Sequence, residues 1–201
     1  MSLLGAAAFG LAGGLAGIGI HWGIERMEPR GNRTERNLTI TASAAIPFLI
    51  YLKYQASGAF AVVYGILALV LIGTSVFDLR KQVIPHLVTL PGMVAGLVTS
   101  TWLLPIGFKN SLIGMLLGAG ILLFTTIVEA LRHKDVGGGD WKLAAAIGSF
   151  LGARLVVTAM LFAGLFGLIV GGVLLWRRSA SKPAALGPFI SAGAIAAMLW
   201  N

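Results

Sequence analysis

The sequence predicts an all-α, polytopic membrane protein with about eight transmembrane helices, and three observations lead to this fold class. Hydrophobic residues make up 57% of the chain and charged residues only 11%, whereas a soluble domain carries roughly a quarter charged residues. The mean hydropathy of +0.90 is correspondingly high. The 28 glycines suit helices that pack closely in a bilayer. Cysteine is absent, which excludes disulfides and thiolate metal sites.

Apolar runs follow one another along the chain, most of them near the 20 residues that a membrane crossing needs. We predict spans at residues 3–24, 38–52, 58–77, 87–106, 111–131, 141–152, 154–176 and 186–200. The second and sixth are short, and only Gly152-Ala153-Arg154 separates the sixth from the seventh. The first 25 residues contain no Lys or Arg, so the first run is expected to be a retained helix and not a cleaved signal peptide.

The basic residues alternate between loops, as the positive-inside rule requires of a correct span count. Twelve fall in or beside odd-numbered loops: Arg26, Arg30, Arg33, Arg36, Arg80, Lys81, Arg132, Lys134, Lys142, Arg177, Arg178 and Lys182. Three fall in even-numbered loops: Lys53, Lys109 and Arg154. We therefore expect odd loops on the cytoplasmic side of the cell membrane and both termini on the other side. The net charge of +8 is then explained by anionic lipid and needs no nucleic acid.

Two of the seven acidic residues stand apart from the rest. The other five lie in or beside basic loops, where a solvated charge is unremarkable: Glu25, Glu28, Glu35, Glu129 and Asp135. Asp78 closes the third predicted span and Asp140 opens the sixth, so both are expected at the cytoplasmic boundary. An ionisable group at a membrane boundary is costly unless it is paired or functional. Two such carboxylates at one depth predict a dyad that shares a proton.

Each aspartate stands in a motif that also has a simpler explanation. Gly137-Gly138-Gly139-Asp140 could be a flexible loop with an aspartate N-cap. The segment from Phe77 to Pro91, which contains Asp78, Ile84 and Pro85, could be a helix end beside juxtamembrane basic residues. A carboxylate near a helix C-terminus opposes the macrodipole, however, and this favours a functional role for Asp78.

Together and in this order, the two motifs resemble the type IV prepilin peptidases, membrane aspartyl proteases with a GxGD motif. The segment from Asp78 to Pro91 resembles that family's D-x-R-x-x-x-I-P unit and the L-T-L-P helix after it. Gly137 to Leu143 resembles its G-G-G-D-x-K-L signature. The resemblance covers roughly residues 58–201, which we assign as the peptidase core. Residues 1–57 are then an N-terminal two-helix extension with a short cytoplasmic loop at 25–37.

The resemblance implies that Asp78 and Asp140 are catalytic and that Gly137, Gly138 and Gly139 form the active-site loop. One aspartate would hydrogen-bond the scissile carbonyl while the other takes a proton from the attacking water. The expected substrates are prepilin or pseudopilin precursors that lie in the lipid bilayer, cut at the cytoplasmic face. No cofactor and no metal is expected, and His21, His86 and His133 lack metal-ligand spacing. The oligomeric state cannot be derived from the sequence.

The N-terminal part departs from the larger members of the family, which insert a cytoplasmic domain with paired C-x-x-C motifs. This chain has no cysteine, so we expect leader cleavage without N-methylation. Two alternatives remain at this point. Asp78 and Asp140 could relay protons in a proton-coupled transporter, or the chain could be an assembly partner that has kept the peptidase fold.

Overall fold

The computed structural model describes residues 3–27, 31–131, 138–176 and 185–200, and within these ranges the regular structure is entirely helical. Seven helical elements follow one another: α1 Leu3–Met27, α2 Arg33–Lys53, α3 Gly58–Lys81, α4 His86–Trp102, α5 Phe108–Leu131, α6 Asp140–Trp176 and α7 Gly187–Trp200. The all-α prediction is therefore confirmed. The elements divide between two units, Met1–Lys81 and Gln82–Asn201.

Three helices in the described ranges are long and apolar enough to cross a membrane: Leu4–Met27, Gly58–Lys81 and Asp140–Val173. Two shorter apolar helices cover Phe108–Phe124 and Gly187–Trp200. Many large apolar side chains on these elements are exposed, among them Leu11, Leu161 and Leu168, each at 70% or more. Exposed apolar surface of this kind suits a hydrocarbon environment, so the helices are those of a membrane protein.

Helix α6 is interrupted at Gly152, whose φ of 74° and ψ of 178° are not helical. A side chain placed on Gly118 of α5 would touch both the Ala144 carbonyl oxygen and a methyl carbon of Val156. In a straight helix those two residues would be about 18 Å apart, at 1.5 Å per residue. The chain therefore turns back on itself at Gly152, and α6 consists of a first arm (140–151) and a second arm (153–176).

The turn at Gly152 falls at the boundary predicted between the sixth and seventh spans. With α6 divided in this way, each of the eight predicted spans overlaps a helical segment. That all eight cross the bilayer stays a prediction, because three helices of the described ranges meet the length and hydropathy criteria of a crossing.

Two predicted boundaries differ from the structure for identifiable reasons. Helix α2 begins at Arg33, inside the predicted loop 25–37, because the helix continues through polar residues that the apolar pattern cannot reveal. Its first turn contains Glu35, a favourable place for a carboxylate. Helix α4 ends at Trp102, before the predicted limit of 106, because Pro105 disfavours helical backbone in the residue before it.

Unit 1 contains α1, α2 and α3, and α1 approaches α2 closely along a face of small residues. A Cβ atom on Gly13 would overlap the Ser43 carbonyl oxygen, and one on Gly17 would lie 2.7 Å from the Ser43 Cβ. Pro47 lies inside α2 and has no N–H to donate to Ser43, four residues earlier. The freed carbonyl lies against the glycine backbone of α1, so a proline that would weaken an isolated helix is accommodated by its neighbour.

Unit 2 contains α4 to α7, with the two arms of α6 at its centre. Buried residues of the first arm include Leu143 to Ile147, which pack between α4 and α5. The second arm packs against α7, where a Cβ on Gly193 would overlap the Ala159 carbonyl oxygen. The amide N–H of Ala153 starts the second arm and donates to Asn110 Oδ1 of α5 over 3.1 Å. This bond satisfies an amide that the break at Gly152 would otherwise leave unpaired.

Candidate active site

Asp78 lies in the last turn of α3 in unit 1, and its side chain is only 4% exposed. Burying a carboxylate is unfavourable unless it is paired or hydrogen-bonded, and the C-terminal position adds the opposing helix dipole. Nothing in helix propensity or capping therefore accounts for an aspartate at this place. A cost of this kind is typical of a functional group that the surrounding fold holds in position.

The helix that carries Asp78 ends abruptly. Gln82 follows Lys81 with a φ of 53°, the left-handed conformation that commonly ends a helix and that glycine usually occupies. Pro85 then precedes α4 with a φ of −64° and a ψ of 126°. The prediction that Ile84-Pro85 separates two segments is thus confirmed, and the connection between Lys81 and His86 is only four residues long.

Asp140 is the first residue of α6 in unit 2 and is partly buried. The Gly139 carbonyl accepts a hydrogen bond from the Leu143 amide over 3.1 Å, which makes Gly139 the N-cap residue and Asp140 the first residue inside the helix. The alternative of an aspartate N-cap is therefore wrong. An ionised carboxylate in the first turn is favoured by the positive end of the helix dipole, so Asp78 and Asp140 occupy opposite electrostatic settings.

The glycines before Asp140 are in different situations. A Cβ on Gly139 would lie 2.9 Å from the Ile84 Cβ and 3.4 Å from the Ile84 amide nitrogen, so only glycine fits without displacing Ile84. A Cβ on Gly138 would make one ordinary contact, 3.7 Å from the Trp141 indole nitrogen. Gly137 lies outside the described residues.

The two sequence motifs meet within unit 2. Ile84, six residues after Asp78 in the chain, is 3% exposed and lies against Gly139, the residue before Asp140. Next to this contact, Lys142 Nζ lies 3.5 Å from His86 Nδ1 and 5.3 Å from the centre of the Trp141 ring. The two aspartates are 62 residues apart in the sequence. The end of the first motif, at Ile84, nevertheless contacts Gly139 of the second motif.

Two polar side chains of unit 1 were not identified from the sequence. Glu35 was interpreted as an ordinary loop charge, but it lies in α2 and forms an ion pair with Arg80. His21 is 4% exposed and its Nε2 lies 3.4 Å from Glu25 Oε2. The i, i+4 spacing of His21 and Glu25 could have indicated their contact. No local pattern indicates the ion pair of Glu35 with Arg80, because these two residues are 45 positions apart in the chain.

The remaining candidates add no metal site to the part of the chain that the structure describes. Within residues 3–27, 31–131, 138–176 and 185–200, no three His, Cys, Asp or Glu side chains are grouped as metal ligands would be. The side chain of Glu129, and His133 as a whole, lie outside the described residues. The expectation that no cofactor is needed stays a prediction.

Comparison with protein families gives a match to the type IV leader peptidase family over residues 65–172. The matched region includes Asp78 and Asp140 and the motifs around them. It also agrees with the resemblance derived from those motifs.

Individual relatives agree with this match. A prepilin leader peptidase/N-methyltransferase of Burkholderia pseudomallei is 32% identical over 166 residues, which are 80% of this chain and 53% of that protein. Proteins of the same name from Aeromonas salmonicida and Bacillus subtilis are 32% and 39% identical, over 68% and 44% of this chain and 48% and 36% of their own lengths. The chain thus spans about half the length of the curated relatives it matches. No solved structure matches it.

Proposed function

The chain belongs to the type IV leader peptidase family, and from this membership we propose that it is a membrane aspartyl endopeptidase. Its substrates are prepilin or pseudopilin precursors, from which it removes the leader peptide. The observation that carries the proposal is the contact of Ile84 with Gly139. The segment that follows Asp78 in the chain lies against the turn that carries Asp140, as a site built from both motifs requires.

The chemistry follows from two carboxylates that share one proton. Like charges close together cannot both ionise at low cost, so one aspartate stays protonated and hydrogen-bonds the scissile carbonyl oxygen. The ionised partner accepts a proton from water as the water oxygen bonds to the carbonyl carbon. When the C–N bond breaks, that proton passes to the leaving nitrogen.

The proposed topology places this chemistry at the cytoplasmic membrane surface. Eight spans with both termini on the non-cytoplasmic side put the C-terminal end of α3 and the beginning of α6 at that surface. The twelve-to-three distribution of basic residues between the two sets of loops supports this arrangement. A precursor whose apolar helix lies in the bilayer would present its cleavage site at the same depth.

The experiment is cleavage of candidate precursors by the full-length chain, purified and reconstituted in lipid bilayers. Prepilin-like proteins from the same genome would be incubated with it and their products measured by intact mass spectrometry. We expect a single cut between a short basic leader and the apolar helix of the precursor. Intact precursors after incubation with folded protein would contradict the proposal. The transporter alternative gains no support, since the family and the relatives are peptidases by description.

A further inference from the structure

The cytoplasm-facing end of unit 1 in the proposed topology contains an ion pair between α2 and α3. Arg80 Nε donates to Glu35 Oε1 over 2.8 Å, and Arg80 Nη2 lies 2.7 Å from the same oxygen. The Arg80 side chain is 6% exposed and the Glu35 side chain 28%. This is a largely buried ion pair, joined by one charge-assisted hydrogen bond from the guanidinium to the carboxylate.

The segment between α1 and α2 approaches the same guanidinium. A Cβ on Gly31 would lie 2.5 Å from Arg80 Nη2 and 3.3 Å from the His21 Cε1 atom. Glycine at this position therefore lets the backbone come close to the charged group. As a result, Arg80 is bounded by Glu35 and by Gly31, from two parts of the chain far from it in sequence.

Stability alone does not explain a buried ion pair at this place. Removing two charges from water costs several kcal/mol per ion, and apolar replacements of similar volume are often neutral or stabilising. Two catalytic carboxylates, in contrast, need to be held to about half an ångström of their productive geometry. The last turn of a helix frays easily, and in this chain the last turn of α3 carries Asp78.

We propose that Glu35 and Arg80 are positioning residues that fix the last turn of α3 and thereby the carboxylate of Asp78. Arg80 follows Asp78 by two residues, so their side chains leave the helix about 200° apart. An anchor on one side of the helix prevents rotation and unwinding while the other side remains for catalysis.

This inference rests on the proposed function. It is tested by measuring kcat and KM for leader cleavage. Glu35→Gln keeps the size of the side chain and removes its charge. We expect kcat to fall about ten- to a hundred-fold, as for a small misplacement of a catalytic group, with KM within two-fold of wild type. Glu25→Gln is the matched control, because Glu25 also lies in unit 1 but is 49% exposed. It should cleave at the wild-type rate.

Gly31→Ala tests the same role without removing a charge. Its methyl group meets the far end of the flexible Arg80 side chain, so the guanidinium can move aside at little cost in stability. We expect kcat to fall while the thermal unfolding midpoint stays close to that of wild type. The exchanged pair, Glu35→Arg with Arg80→Glu, should recover part of the kcat that each single reversal loses, as expected of directly coupled residues.

The outcomes separate this inference from the proposed function. If the wild-type chain cleaves no precursor, the proposed function fails and the positioning role fails with it. If wild type cleaves while Glu35→Gln and Gly31→Ala both keep the wild-type kcat, the positioning role alone is wrong. A lower unfolding midpoint with unchanged kcat in the folded fraction would mean that the pair stabilises α3 and does not position Asp78.

Discussion

Gly139 is the residue at which the two sequence motifs come into contact in unit 2. Its missing side chain lets Ile84 lie directly against the turn before Asp140. Gly138 beside it has no such constraint, since a Cβ there would find ordinary van der Waals space. Packing against Ile84 therefore explains the glycine at position 139. The contacts give no reason for a glycine at position 138.

Substitution of these two glycines by alanine should give opposite results. Gly139→Ala places a methyl group 2.9 Å from the Ile84 Cβ, and neither a Cβ nor a backbone nitrogen can move alone, so the turn must shift. We expect a loss of leader cleavage of about ten-fold or more. Gly138→Ala should keep most of the activity. Equal activities of the two variants, measured at equal amounts of folded protein, would show that the contact does not matter.

At the scale of single residues, the sequence is informative where the signal is local. It predicts Asp78 and Asp140 as site residues because a carboxylate at the edge of an apolar run is costly, and their catalytic role stays a prediction. The ion pair of Glu35 with Arg80 was missed because the cost of burying Arg80 becomes apparent only when α2 and α3 lie together. The close approach of Gly139 to Ile84 likewise depends on folding.

Among the helical elements, the two arms of α6 differ in what their glycines do. A Cβ on Gly148 would overlap the Gly114 carbonyl oxygen, whereas Gly167 and Gly171, on the second arm, have nothing within 4 Å. Both arms of α6 carry glycines four residues apart. Of these glycines, it is Gly148, on the first arm, whose backbone lies directly against the backbone of a neighbouring helix in the described structure.

Alanine substitutions in these two places should differ in stability. Gly148→Ala forces α5 and the first arm of α6 apart, and overpacking of this kind costs about 1–3 kcal/mol. Gly167→Ala adds a methyl group to open surface and should leave the unfolding midpoint almost unchanged. Thermal unfolding of both variants in the same detergent measures the difference. A midpoint for Gly148→Ala equal to that of Gly167→Ala would contradict the described packing.

The positions of the helices could be predicted better than the residues at which they begin and end. Apolar runs located every helical segment, and Gly152 was recognised as a boundary, because hydropathy is a property of the local sequence. The start of α2 at Arg33 could not be seen in this way, since its first turn is polar. The reversal of α6 depends on a positive φ at Gly152 and on the Asn110 bond to Ala153, both of which require the tertiary structure.

The whole molecule combines a family that is established with an active site that is proposed. Asp78 belongs to unit 1 and Asp140 to unit 2. The predicted core of residues 58–201 is a division by function, not by packing, and it stays a prediction. Two further properties of the chain can be tested directly.

Chelation should leave leader cleavage unchanged. The chain has no cysteine, and its described His, Asp and Glu residues form no group of three suited to a metal. A carboxylate dyad activates water by proton transfer, for which no metal is required. Cleavage rates would be compared with and without EDTA and with a stronger zinc chelator. Activity lost on chelation and restored by zinc would contradict the proposed chemistry.

Cleavage should also proceed without methylation of the new N-terminus. The relatives are named for both activities, whereas in this chain a short segment, 28–32, separates α1 from α2. So few residues cannot bury the core that a methyl-donor pocket would need. Mass spectrometry of the product made with S-adenosylmethionine should show no added methyl group. A methylated product made by this chain alone would contradict the prediction.

The most direct test of the central claim is leader cleavage by Asp78→Asn and Asp140→Asn, each compared with wild type and with Glu25→Gln. Asparagine keeps the size of aspartate but can neither share nor transfer its proton. We expect both variants to insert, purify and unfold like wild type, with no cleaved product detectable by mass spectrometry, while Glu25→Gln remains active. Cleavage at the wild-type rate by either asparagine variant would contradict the claim that these two aspartates form the catalytic pair.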